Sequence, residues 1–372
     1  MAKACGVARF AWNWALAEWE RQYKAGEKPT AKALKLKWNS IKAREFPWVY
    51  DSPKDANQQP FANLDKAFRG FFKKTGRYPR FKAKGRHDSF YVSNDKMEVA
   101  GMRVRLPVIG WIRLREELRF HGKIMAAVVY KKLDRWFISI QVDVGELKLP
   151  RTGDGAVGVD LGIKTAVTLS DGREFRSPKA MNRHLRRLQR LARLVARRKK
   201  GSRRRERAKL NLARLQARVA NIRKDWQHKL TTLLCRENQT VAVEDLNVKG
   251  MLGNRKLARH IADVGFHEIR RQLEYKAELY GTELLVVDRW FPSTKTCSAC
   301  GVVKPSMSLS DRVFRCHGCG LETGRDHNAA INIITAGLAG SHARGQQDSR
   351  GDTMNPDWKS RELRVGTAVL TE

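Results

Sequence analysis

The chain has 372 residues, 42% of them apolar, with a formal net charge of +36 and a pI near 10.4. That apolar content excludes wholesale disorder, and the length asks for two or three packed units. A positive surplus of this size repels itself unless a polyanion neutralises it. This argues against an ordinary metabolic enzyme and for a nucleic-acid partner.

Residues 1–75 predict helices, with Phe10, Trp14 and Ala17, then Leu64, Phe68 and Phe71, near helical spacing, and with Pro47, Pro53 and Pro60 as punctuation between segments. Arg9, Asn13 and Glu18 interrupt any signal-peptide core at the start. No run reaches the roughly 18 apolar residues of a membrane span. A cytoplasmic protein without membrane contact is expected, and six cysteines there ask for a metal rather than disulfides. Residues 76–150 turn to short alternating runs such as SFYVSN and RWFISIQVD, which predict an antiparallel sheet or small barrel, with the Trp136–Ile140 strand buried on both faces. A third unit opens with AVGVDLGI, TAVTLSDG and a hairpin turn at Asp171-Gly172. One long basic helical stretch (177–235) follows, with a stripe of Leu185, Leu188, Leu191 and Leu194. Then come the strand TVAVEDL, a helix ended by Gly281, the strand TELLVVD, a cysteine module and a last helix from RDHNAAINI. Residues 339–372 lack periodicity and predict a disordered tail.

Cys297-x2-Cys300 and Cys316-x2-Cys319 stand fifteen residues apart, a spacing at which two knuckles complete a tetrahedral zinc ribbon. His317 is a bystander, and Cys5 and Cys235 are apolar packing residues. Asp160 and Glu244 end runs of small β-formers, and Asp326 opens a helix. Acids in such places are costly unless they face a ligand or water, and three together call for divalent cations with oxygen ligands, usually Mg²⁺. On a basic chain the trio points to hydrolysis of a nucleic-acid backbone, with two ions activating water and stabilising the leaving oxygen. Asp154, Asp171, Asp263, Asp288 and Asp311 fit turns or the surface.

GVDLGIKTAVTLSDG, VAVEDLNVKGM, CSACG with FRCHGCG, RDHNAAINI, WFPSTKTCSACG and ARFAWNWAL together resemble the TnpB family, transposon-encoded nucleases with a split RuvC domain that are related to type V CRISPR effectors. The resemblance covers about residues 5–338. It implies a multidomain α+β protein: a helical recognition lobe (1–75), a β-barrel-like wedge (76–150), an RNase H-like RuvC nuclease domain (151–290) with the basic insertion 177–235, a zinc ribbon (291–322) and the last RuvC helix (323–338). It implies Mg²⁺-dependent cleavage of double-stranded target DNA beside a short flanking motif, guided by an RNA from the transposon end. Asp160, Glu244 and Asp326 fall on the family's catalytic and Mg²⁺-binding positions, and Cys297, Cys300, Cys316 and Cys319 on its zinc ligands. A first wedge strand usually precedes the ARFAWN-like segment, and its lack implies an exposed sheet edge.

A guide–target heteroduplex needs a positive channel. Arg186, Arg190, Arg193 and Arg197, at helical spacing, are candidates for its wall, and Lys73, Lys74 and Arg77 form a second basic cluster. Gln58 and Gln59 are candidates for reading the flanking motif. Trp12, Trp14 and Trp38 suit core packing better than base stacking. Two alternatives stay open, an RNA-guided DNA binder that does not cut and an unguided RuvC-like nuclease, and a monomer is favoured.

Overall fold

A computed structural model describes residues 1–308, 310–345 and 367–371. The chain divides into two units, Met1–Glu146 with Pro356–Glu372, and Leu147–Asn355.

The first unit opens with α1 (Ala2–Lys24), α2 (Ala31–Glu45), a 3₁₀ turn (Pro47–Asp51) and α3 (Lys54–Phe72). The Thr30 hydroxyl caps α2 by accepting from the Ala33 amide at 3.2 Å. Leu16, Trp38, Phe61 and Leu64 are fully buried in the shared core, and Trp12 and Trp14 pack into it. Pro60, expected between segments, lies inside α3 with its ring buried; core burial there outweighs an interior proline's cost of about 3 kcal/mol.

The strands are β1 (Ser89–Ser93), β2 (Glu98–Ala100), β3 (Arg103–Leu106), β4 (Gly110–Leu114), β5 (Lys123–Lys132) and β6 (Arg135–Asp143), with a 3₁₀ turn at Asn94–Lys96. In β6, Trp136, Ile138, Ile140 and Val142 are buried while Phe137, Ser139 and Gln141 are half-buried, so only one face is fully covered. Among the described residues the sheet is antiparallel and open, not a closed barrel, with β1 and β2 at its edges.

The expected disordered tail is corrected at both ends. Residues 339–345 continue the last helix to Gly345, and Thr367–Thr371 form a strand of the first unit's sheet; the remainder lies outside the described residues. That strand pairs antiparallel with β4 and β6, Leu370 standing opposite both Leu114 and Trp136.

The second unit is built on β7 (Gly155–Asp160), β8 (Val167–Leu169), β9 (Glu174–Phe175), β10 (Asn238–Glu244) and β11 (Glu283–Val287), in the order β11-β10-β7-β8-β9. β7, β8 and β9 form an antiparallel meander, and β10 and β11 run parallel to β7. Asp171-Gly172 makes the β8–β9 turn, with Gly172 at φ +88° and its amide on the Leu169 carbonyl.

The basic stretch is not one helix. It breaks into α4 (Ala180–Arg197) and α5 (Arg203–Glu237) at Gly201, whose φ is +80°, and the Ser202 side chain caps α5. α6 (Val248–Leu252), α7 (Ala258–Val264) and α8 (Phe266–Tyr280) follow, and Gly281 ends α8 at φ +63°. Asp263, expected in a turn or on the surface, is buried at 3% exposure because its carboxylate accepts from the Met181 and Asn182 amides that open α4. Strands β12 (Val313–Arg315) and β13 (Glu322–Gly324) flank the second cysteine pair, and α9 (Arg325–Gly345) closes the unit; Thr367–Thr371 is β14.

Helix α9 lies directly on β7. A Cβ at Gly158 would stand 1.9 Å from the Ala330 carbonyl oxygen and 2.9 Å from the Ile334 amide nitrogen. Only a glycine admits this approach, which seats the helix start beside the strand end. Gly158→Ala is therefore expected to destabilise the protein by about 1–3 kcal/mol or more. A wild-type urea midpoint for this variant would show that α9 does not need the close seat.

Candidate active site

Asp160 is the last residue of β7 and Glu244 the last of β10. The strands run parallel with Val159 opposite Val243, so the two acids leave the sheet side by side. Asp326 lies in the first turn of α9, where a carboxylate suits the positive end of the helix dipole. The structure thus brings together three acids separated by 84 and 82 residues.

Their proximity has an electrostatic signature. The Asp160 carboxyl is pushed up to about 7, first by burial, then by the charges of Glu244 and Asp326, with Arg325 opposing. Burial also raises Glu244, against a hydrogen bond from the Ser293 hydroxyl to its Oε1. Asp245, beside Glu244, turns outward to pair with Arg289.

Residues that the sequence did not single out complete the site. Arg325 donates from Nε and Nη2 to Asp326 Oδ1, both at 3.1 Å, and brings a positive charge to the trio. His327 Nε2 donates to the Ser170 carbonyl at 3.1 Å and ties α9 to the end of β8. Both flank Asp326 in RDHNAAINI, and only their neighbourhood to an acid could have marked them.

The four cysteines form a separate, tighter cluster. Cys297 and Cys319 Sγ lie 3.6 Å apart, and Cys300 and Cys316 Sγ 3.5 Å. An ion about 2.3 Å from each of four thiolates requires sulfur–sulfur edges of roughly 3.8 Å, so the set fits a tetrahedral metal. Among the described residues this is the one group of three or more ligand side chains whose donor atoms all lie within 4.8 Å of one another; the carboxylate trio is more widely spread. Gly301 and Gly320, at φ +75° and +72°, turn the two knuckles. Cys5 and Cys235 are buried away from this cluster, and burial pushes both thiols up to about 12.

Arg186, Arg190, Arg193 and Arg197 are exposed along α4; of its leucine stripe, Leu185, Leu188 and Leu191 are half-buried and Leu194 is exposed. Lys73, Lys74 and Arg77 are exposed just after α3. Gln58 and Gln59 are half-buried: Gln58 donates to Asn39 and Asn57 Oδ1 at 2.9 and 2.7 Å, and Gln59 lines a cavity of about 330 Å³ with Asn63, Lys82, Tyr91 and Gln141. No helix among the described residues is long and apolar enough to cross a membrane.

Fold and site define a basic two-unit protein with an acid-tipped mixed sheet and a four-cysteine module. The family model described as "Probable transposase" matches residues 139–255, a Cas12f1-like TNB domain matches 266–333, and a helix-turn-helix domain matches 1–28. A Streptomyces pristinaespiralis protein named "Putative RNA-guided DNA endonuclease" is 36% identical over 353 residues, covering 92% of this chain and 86% of its own. InsQ of Escherichia coli K12, with the same designation, is 33% identical over 91% of this chain and 89% of its own. A cryo-EM structure of a Cas12f1–sgRNA–target DNA complex shares the fold at a TM-score of 0.57 and 13% identity, covering 90% of this chain and 81% of that one. The chain belongs to the TnpB family.

The raised Asp160 value has a thermodynamic consequence. A carboxyl whose folded value lies above its unfolded one favours folding while protonated, so its contribution is full below pH 4 and is lost as pH rises through about 7. In EDTA, Asp160→Asn is expected to match wild type near pH 4 and to exceed it by a few kcal/mol at pH 8. Mg²⁺ should then raise the melting temperature of wild type more than that of the variant. Equal pH profiles in thermal melts would exclude the burial and crowding that raise Asp160.

Proposed function

We propose that the chain is an RNA-guided DNA endonuclease of TnpB type that hydrolyses phosphodiester bonds of double-stranded target DNA, with Asp160, Glu244 and Asp326 as its catalytic acids. The observation that carries this reading is the convergence of those carboxylates from two parallel strand ends and one helix start, where burial and then the charges of Glu244 and Asp326 raise Asp160 to about 7. The naming of the full-length relatives as RNA-guided DNA endonucleases supports it. In this reading Leu147–Asn355 is the RNase H-like (RuvC) nuclease unit with an inserted zinc ribbon, and Met1–Glu146 supplies the recognition lobe and wedge.

The residues fit Mg²⁺. Three carboxylates offer hard oxygen donors, and cations would relieve the repulsion felt by Asp160. A spread wider than that of the cysteine cluster suits two ions about 3.5–4 Å apart. Bound Mg²⁺ supplies charge neutralisation and an activated water. The protein's own part is positional. Asp160 and Glu244 sit on hydrogen-bonded strands, Asp326 on a helix seated at Gly158, and Arg325 holds Asp326 from the side. Cys297, Cys300, Cys316 and Cys319 hold one structural Zn²⁺.

The exposed Arg186, Arg190, Arg193 and Arg197 face of α4 binds phosphates of the guide RNA or its heteroduplex with DNA, and Lys73, Lys74 and Arg77 form a second phosphate contact. Gln59, in its polar cavity, and Gln58 beside it are suited to reading the flanking motif.

The test is to express the protein with the DNA flanking its gene and to sequence the RNA that copurifies. One abundant species is expected, and DNA matching its end should be cut in Mg²⁺ by wild type. Asp160→Ala should keep the RNA and lose cleavage. Retained cleavage by the variant would overturn the assignment of the acids, RNA-directed binding without any cleavage would make the protein a guided binder, and a smear of host RNA would favour an unguided nuclease. Replacing the four α4 arginines by Ala should weaken binding of that RNA and flatten its dependence on log salt by up to about 3; an unchanged slope would remove α4 from the interface.

A further inference from the structure

The segment between β11 and the first cysteine knuckle runs past the catalytic glutamate. β11 pairs with β10 so that Val287 stands opposite Glu244. Six residues on, Ser293 is buried at 4% exposure with its hydroxyl on Glu244 Oε1. Its backbone carbonyl accepts from Asn332 Nδ2 at 2.8 Å, and the same amide donates to the Thr296 carbonyl at 2.7 Å. Asn328 Nδ2 also donates to the Thr296 carbonyl at 2.7 Å, and its Oδ1 accepts from the Ser298 amide at 3.0 Å. Asn328 and Asn332 are 0% and 5% exposed. They lie on α9, the helix that begins with Asp326, and they grip the backbone on both sides of Cys297. The segment is thus fixed by α9 below and by the knuckle at its end, while its one buried hydroxyl is spent on Glu244.

We infer that Ser293 is a positioning residue for Glu244, held in place by Asn328, Asn332 and the first cysteine knuckle, so that the metal-ribbon module sets the orientation of a catalytic acid. The inference rests on the assignment of Glu244 as catalytic. A hydroxyl donated to one carboxylate oxygen leaves the other free for a cation and selects one rotamer of the glutamate. Removing such a partner from a metal-holding carboxylate costs about 10- to 100-fold in metal affinity or activity.

The experiment uses the full chain with its copurified RNA, in wild type, Ser293→Ala, Ser293→Thr, Ser293→Val and Glu244→Gln. Three quantities are measured for each: the melting temperature in EDTA, the Mg²⁺ or Mn²⁺ concentration giving half of the ion-induced melting shift, and kcat and KM on matched DNA. Ser293→Ala should melt like wild type in EDTA, need about ten-fold more metal and lose at least ten-fold in kcat with KM for DNA unchanged. Thr and Val have the same shape, so Ser293→Thr should recover metal affinity and kcat where Ser293→Val does not. The inference is overturned if Ser293→Ala has wild-type metal affinity and kcat, or if Thr and Val behave alike. Wild-type cleavage by Glu244→Gln would instead overturn the catalytic assignment of Glu244, an outcome that the serine variants alone cannot produce.

Discussion

Gathering three carboxylates at one end of a sheet works against folding. Asp160 loses hydration on burial and is repelled by Glu244 and Asp326, and the two effects push its carboxyl up to about 7. Much of the second unit consists of devices that hold the acids in place against that repulsion. Parallel pairing of β7 with β10 fixes Asp160 beside Glu244 through backbone hydrogen bonds that no side-chain repulsion can shift cheaply. Gly158 lets α9 approach to backbone contact, which delivers Asp326 to the same edge. Ser293 and Arg325 then attach a donor to Glu244 and to Asp326.

The same constraint links the acid site to the cysteine cluster. A small module gathered on four cysteines has little apolar core of its own, here Phe314 with Val302, Met307 and Leu321. Its place in the chain is what matters, because it is inserted between β11, which neighbours Glu244, and α9, which carries Asp326. Asn328 and Asn332 then tie the ribbon's first knuckle back to α9. The insertion closes a ring of contacts around the acid-bearing end of the sheet.

The legible parts of the site were those whose chemistry contradicts their local pattern. Asp160 and Glu244 end apolar β runs, and paired CxxC turns have few uses, so these residues stand out without any structure. Ser293, Asn328 and Asn332 do not, because a serine in a Pro-containing loop and asparagines in a helix are unremarkable until their partners are known. The basic stretch hid its break for a related reason. Arginines on both sides of Gly201-Ser202 kept the composition constant while the φ of Gly201 ended one helix and Ser202 capped the next. Asp263 was misplaced on the surface because its partners, the amides that open α4, lie more than eighty residues away in the chain. The strand Thr367–Thr371 stayed hidden because five residues of TAVLT have no periodic context of their own, and their pairing with β4 and β6 spans more than two hundred residues.

Charge is distributed between the units and the site in opposite senses. The net charge of +36 resides on exposed side chains such as those of α4, where water and salt screen it and a polyanion replaces the counterions. The negative charge of the acid trio is small, local and half-buried, where each interaction is worth more than on the open surface. A phosphate backbone drawn to the basic face would meet carboxylates that repel it, and divalent cations bound there as proposed would turn that repulsion into attraction. The two charge sets are complementary in the proposed reaction: the basic surface would concentrate nucleic acid, and the acids offer a place that suits divalent cations.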